Sequence, residues 1–140
     1  MKKRALRKRY GRAASGESFL DGYVTAALGS SNDESDESGG EPLDANYGPG
    51  DIAPETRKKM RADVARFQKM NKRLLREAYS RGYSKGQAGH DFWLTRNGHG
   101  VGFWARDVLE AGGLGEALTE AAQKFDETWL IVGDDGAIHA

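Results

Sequence analysis

Phe19, Leu20, Tyr23, Ala26 and Ala27 recur at helical spacing, which predicts a short amphipathic helix from about Glu17 to Leu28, ended by Gly29. A stronger periodic signal opens at Pro54, a residue suited to a first helical turn, and closes near Gly82. At about 100° per residue Met60, Val64, Phe67, Leu74 and Ala78 share one stripe, while Lys58, Arg61, Arg66, Lys69, Lys72, Arg73 and Arg76 fall opposite. The pattern therefore predicts one long helix of about 40 Å, burying the stripe and turning a basic ridge outward. Ser84-Lys-Gly-Gln87 fits a capping box, predicting a helix over Gln87 to Arg96 that stops at Asn97-Gly98, both tolerant of the left-handed conformation. The competing reading makes Phe92-Trp-Leu-Thr95 a strand and Asn97-Gly98 a hairpin turn. Gly86 and Gly89 would weaken such a strand, so the helix is preferred.

Further on, Val101 to Trp104 reads as a short strand and Leu114 to Phe125 as a helix buried through Leu114, Ala117, Leu118, Ala121, Ala122 and Phe125. Thr128 to Val132 reads as a second strand, with Asp135-Gly136 turning the chain into a last one through Ile138. The expected fold is α+β: a long amphipathic helix and shorter helices packed on a small antiparallel sheet of about three strands. Residues 17–140 form a single domain in this reading, with no internal repeat.

Composition narrows the possibilities. A 140-residue chain that is 38% hydrophobic can fill one modest core. With no cysteine, disulfide frameworks, thiolate nucleophiles and thiolate metal sites are excluded. No run approaches the roughly 18 apolar residues of a membrane span, and Met1 to Arg12 lacks the apolar stretch of a secretory signal, so a cytosolic protein without membrane contact is expected. The 21 basic and 21 acidic residues balance overall but are segregated. Met1 to Arg12 has seven bases and no acid; Ala13 to Asp51 has nine acids and no Lys or Arg. Ile52 to Gly86 has eleven bases against three acids, and Gln87 to Ala140 three against nine. Such blocks meet each other or meet partners of opposite sign, and the tethered, internal pairing is the expected one. Residues 1–16 read as a flexible basic arm, and the polar, acidic stretch at about 30–50 as a flexible loop.

Candidate chemistry concentrates late in the chain, where all three tryptophans and all three histidines lie. His90, Asp91, Trp93, Arg96, Asn97, His99 and Trp104 together suggest a protein-contact patch, since Trp and Arg are enriched in binding hot spots. His90, Asp91 and His99 could ligate zinc or iron, but their spacing matches no established metal motif. Asp33, Asp36, Asp44 and Asp134-Asp135-Gly136 likewise lack the ligand alternation of an EF-hand. Gly98-His-Gly-Val-Gly102 is no phosphate cradle, because an aromatic segment rather than a helix follows it; its glycines read as close-packing positions beside Trp93 and Trp104. No catalytic residue, cofactor or metal is assigned. The ridge Lys58, Arg61, Arg66, Lys69, Lys72, Arg73 and Arg76, with the basic arm, could neutralise phosphates without base readout.

Phe19-Leu-Asp-Gly-Tyr23, Glu41-Pro-Leu-Asp44, Asp51-Ile-Ala-Pro-Glu-Thr56, Val132-Gly-Asp-Asp-Gly136 and above all Gly89-His-Asp-Phe-Trp-Leu-Thr-Arg-Asn-Gly-His-Gly-Val-Gly-Phe-Trp104 resemble a family of small uncharacterised proteins encoded by bacteriophages and prophages. The resemblance runs from about Phe19 to the end of the chain and implies expression in the cytoplasm of an infected bacterium, but carries over no activity and no site residue. The leading expectation is a non-enzymatic phage accessory protein that binds a host, phage or defence-system protein. Nonspecific binding of DNA or RNA is the alternative, and a metal-dependent hydrolase a second one.

Overall fold

The computed structural model describes residues 16–34 and 40–140; the basic arm and the centre of the acidic loop lie outside the described residues, apart from Gly16. In chain order the elements are α1 (Phe19–Ser30), β1 (Asn32–Asp33), β2 (Glu41–Pro42), α2 (Pro54–Met70), α3 (Lys72–Ser80), α4 (Lys85–Arg96), α5 (Leu114–Gln123), β3 (Ile131–Val132) and β4 (Ile138–His139), linked in part by 3-10 turns. The class is α+β.

The fold is organised around α4. Ser84 caps it, its Oγ accepting from the Gln87 backbone N–H at 3.0 Å, and every residue from Asp91 to Arg96 is buried. A helix buried on all sides has to be wrapped by its neighbours. α1 lies so close to it that backbone meets backbone: a Cβ at Gly22 would sit 2.7 Å from the Gly86 carbonyl carbon, and one at Gly89 would sit 2.9 Å from the Tyr23 nitrogen. α2 and α5 close the remaining sides through an aromatic core. Phe67 stacks on Phe92 with ring centroids 4.1 Å apart, and Phe125 meets Phe92 edge-on at 5.0 Å. Such pairs add to the burial of large rings that already dominate core energetics.

Several sequence expectations are corrected. The long helix is broken at Asn71, which has φ −121° and ψ 29° and whose backbone N–H and side-chain Nδ2 both donate to the Phe67 carbonyl, at 3.0 and 2.9 Å. A side chain competing with the ladder in this way favours a non-helical residue. The break re-phases the chain, so that Leu75 rather than Leu74 joins Ala78 in the core. α1 begins at its Ser18 cap and passes through Gly29 to end at Ser30. No three-stranded sheet is present among the described residues; β1 pairs with β2 and β3 with β4 in two separate antiparallel ladders, and a single parallel bridge joins Ile52 to Ile138. Val101 to Trp104 is not a strand. The Phe103 N–H donates to Thr95 Oγ1 at 3.2 Å, and the Ala105 N–H closes a 3-10 turn on the Gly102 carbonyl, which buries Phe103 and turns Trp104 to solvent. At the end of α4 only Gly98 takes the left-handed conformation; Asn97 keeps φ −101°.

Flanking the undescribed 35–39, the acidic segment is held at its base by the β1–β2 ladder, where Leu43 is fully buried and Asp33 and Asp44 are buried as well.

Candidate nucleic-acid interface

The seven ridge residues Lys58, Arg61, Arg66, Lys69, Lys72, Arg73 and Arg76 are all exposed on the solvent sides of α2 and α3. Burial of Met60, Val64 and Phe67 fixes the rotation of α2 and so holds its cations outward. Seventeen residues at 1.5 Å each make α2 about 25 Å long, and α3 extends the basic surface beyond the break at Asn71. The guanidinium of Arg66 lies over the Phe125 ring at 4.5 Å, which steadies it without using up its charge.

Where the acids go decides what this surface can do. Internal pairing of the acidic and basic blocks was expected; the basic arm and residues 35–39 lie outside the described residues. Of the two acids within α2, Asp63 is taken by Arg96 of α4 at 2.8 Å, while Glu55 stands exposed in the first turn; Glu77 of α3 is taken by Arg81 at 3.1 Å. Asp91 pairs with Arg106, and Asp135 is hydrogen-bonded to His139 Nε2 at 3.1 Å in the terminal hairpin. Among the described residues no carboxylate pairs with any of the seven ridge cations. Asp63 and Glu77 are thus already engaged, and the exposed Glu55 at the start of α2 is outnumbered by the seven ridge cations, which leaves the field of the face positive.

The expected contact patch fares differently. Asp91, Trp93, Arg96 and Asn97 are buried, His90 and His99 are partly covered, and Trp104 alone of the seven is well exposed, at 54%. Four of the seven residues therefore serve the interior, and the idea of one continuous surface patch is corrected. Trp93 donates from Nε1 to Ser30 Oγ at 2.8 Å, and Asn97 joins the α4 end to the C-terminal segment by accepting from the Thr128 N–H at 2.8 Å. Arg96 is a hub: Nη1 donates to the Tyr23 hydroxyl at 3.1 Å and to Asp63, while Nε and Nη2 donate to the Asp126 carbonyl. Burial, opposed by the Arg96 charge, pushes the Tyr23 phenol up to about 12.

Asp91 is the most enclosed ionisable group. Arg106 grips it at both oxygens, at 2.6 and 2.9 Å, Tyr83 donates to it at 2.5 Å and Gln87 at 3.1 Å, with His90 more distant at 3.5 Å. Burial alone would raise the Asp91 carboxyl; hydrogen bonds from His90, Arg106 and Tyr83 and the Arg106 charge outweigh it and hold the group below the usual carboxylate range. Burial first, and then the Asp91 charge, pushes the Tyr83 phenol well above its ordinary value, so it remains the donor. A carboxylate with both oxygens engaged in this way has little left for a metal or a substrate. Among the described residues no group of three or more His, Asp or Glu could hold a metal ion, so His90, Asp91 and His99 do not assemble as one. Of the residues considered for calcium, Asp36 lies outside the described residues and Asp135 instead caps the Ala137 N–H at 3.0 Å.

Of Gly98, Gly100 and Gly102 only Gly102 is a close-packing position, and it packs against Thr95 rather than the tryptophans: a Cβ on it would sit 3.4 Å from Thr95 Cβ and closer still to its hydroxyl, whereas one on Gly100 would meet nothing within 4 Å. Trp104→Ala, at an exposed site, is expected to change stability by no more than about 0.5 kcal/mol, measured by urea unfolding; a larger loss would place Trp104 in the core. Among the described residues no helix is long and apolar enough to cross a membrane. Comparison with protein-family models, curated proteins and solved structures gives no match.

Proposed function

We propose that the protein acts by binding, without catalysis, and that its partner is nucleic acid held through the phosphate backbone by the solvent face of α2 and α3. The observation that supports this reading is a basic face of seven exposed cations left without carboxylate partners among the described residues, while Asp63 and Glu77 beside it pair with Arg96 and Arg81. Lys and Arg on such a face neutralise phosphates and release counterions whatever the base sequence. The face has no exposed aromatic ring on which to stack an unpaired base, its one exposed large apolar side chain being Met70, so a duplex suits it better than a single strand. The setting is that implied by the sequence resemblance, a phage accessory protein in the cytoplasm of an infected bacterium. A host or phage protein is the second reading, supported by the exposed rings of Trp104 and Trp129.

Fluorescence anisotropy of a labelled DNA duplex tests the first reading. Wild-type protein should bind at low salt, and the combined variant Lys69→Glu, Arg73→Glu, Arg76→Glu should not, with its thermal melt unchanged because all three side chains are exposed. Failure of the wild type to bind at low salt, or equal affinity of the variant, would sink the proposal.

A further inference from the structure

Between α1 and α2 lies a second feature that the nucleic-acid reading does not use, a cleft of about 320 Å³. That volume is at the lower end of the range typical of small-molecule sites, which are mostly apolar with a few placed polar groups. Its apolar lining comes from Leu20 and Val24 of α1, Met60 of α2, and Ile52 in the segment before α2. Arg57 and Arg61 also line it; they stand one helical turn apart on α2 and so project to the same side. Both are exposed, and no carboxylate among the described residues pairs with either.

Asp21 and Glu17 stand on the opposite wall. Asp21 completes the α1 cap, its Oδ2 accepting from the Ser18 N–H at 3.4 Å while the Ser18 hydroxyl accepts from the Asp21 N–H at 3.0 Å. Glu17 lies across the helix crossing, its Oε1 being 2.7 Å from where a Cβ on Gly86 would be. The cleft therefore combines an apolar interior with two guanidinium forks that have no carboxylate partner among the described residues, and such forks match the planar geometry of a carboxylate.

We propose that this cleft binds a small amphipathic carboxylate, its acyl or aryl body against Leu20, Val24, Ile52 and Met60 and its carboxylate on Arg57 and Arg61. Arg61 belongs to the basic face as well, so the test has to separate the two surfaces.

Calorimetric titration with decanoate, decylammonium and decanol, each below its aggregation concentration, makes the comparison of head groups. Decanoate should bind most tightly and decylammonium least. Arg57→Gln combined with Arg61→Gln should weaken decanoate by about tenfold or more, the loss expected from charge-assisted hydrogen bonds, and leave decanol unchanged. Val24→Phe, which fills the cleft at a partly exposed position, should abolish decanoate binding and preserve duplex binding, so that the fate of this site and that of the basic face are read independently. Absence of decanoate binding, equal affinity for decylammonium, or undiminished decanoate affinity in the arginine variant would each overturn the proposal.

Discussion

Gly89→Ala is expected to cost about 3 kcal/mol or more and to leave little folded protein at physiological temperature, with Gly22→Ala close behind. In an exposed helix the same change would stabilise by about 1 kcal/mol, because Ala is the better helix former. Here the added methyl on Gly89 overlaps the Phe19 carbonyl and comes within 2.9 Å of the Tyr23 nitrogen, and the one on Gly22 overlaps the Gly86 carbonyl. What it meets is backbone, which has no rotamer to change, so α1 and α4 must separate. Separation opens the packing of Tyr23 against Phe92 and Trp93, where both ring-centroid distances are 5.3 Å. Overpacking of side chains alone costs about 1–3 kcal/mol, and a backbone clash at a helix crossing belongs at or beyond the top of that range. Gly50→Ala is the control, since a Cβ there meets nothing within 4 Å. Circular dichroism melts of the three variants decide the matter; a Gly89→Ala melt matching wild type would mean that the two helices are not in backbone contact.

Asp91→Ala should be almost as damaging, at about 3–5 kcal/mol, because removing one partner of a buried pair leaves the other uncompensated. Arg106 would lose both of its hydrogen bonds to the carboxylate, and the Tyr83 hydroxyl would keep only its 3.3 Å contact with the Gln87 carbonyl. Replacing both members, Asp91→Leu with Arg106→Met, should recover most of the loss, since apolar substitutes of similar size often match a buried ion pair. Because the folded-state value of the Asp91 carboxyl is depressed, its contribution to stability is in place above the unfolded value, about 3.9, and is lost as pH falls through the lower folded value. Urea midpoints measured from neutral pH downward should therefore fall in the wild type below about pH 4 and converge toward those of the Asp91→Ala variant. An Asp91→Ala cost below about 1 kcal/mol would contradict the network described here.

How much of this was legible in the sequence depended on the kind of signal. Ser84, Gln87 and the apolar run after them marked α4 correctly, and Met60, Val64 and Phe67 marked the buried side of α2, because caps and helical periods are local. The break at Asn71 hung on a single side chain choosing the Phe67 carbonyl, which no period reports. Val101 to Trp104 was misread because an aromatic, β-branched run carries strand propensity, while pairing needs a neighbouring strand that the fold does not supply there. The roles of Asp91 and Arg96 were hidden in plain charge. Their partners, Arg106, Asp63 and Tyr23, are 15 to 73 positions away, and single-sequence patterns treat ionised residues as exposed. A local clue existed: Asp91 shares a helical face with Ala88 and Thr95, and Arg96 shares one with Gly89 and Trp93, so both interrupt apolar stripes. In the candidate interface, the ridge was readable from α2 periodicity, but the pairing of Asp63 and Glu77 away from it was not.

The salt dependence of duplex affinity tests the central proposal most directly. If phosphate neutralisation by the α2–α3 face drives binding, the logarithm of the association constant should fall linearly with the logarithm of salt concentration, at about −0.9 per phosphate engaged, giving a slope near −6 if all seven cations participate. Replacing Lys69 by Gln should make that slope shallower by about one and weaken binding equally on duplexes of unrelated sequence. A slope near zero, or one indifferent to Lys69, would contradict a backbone-held nucleic acid on this face.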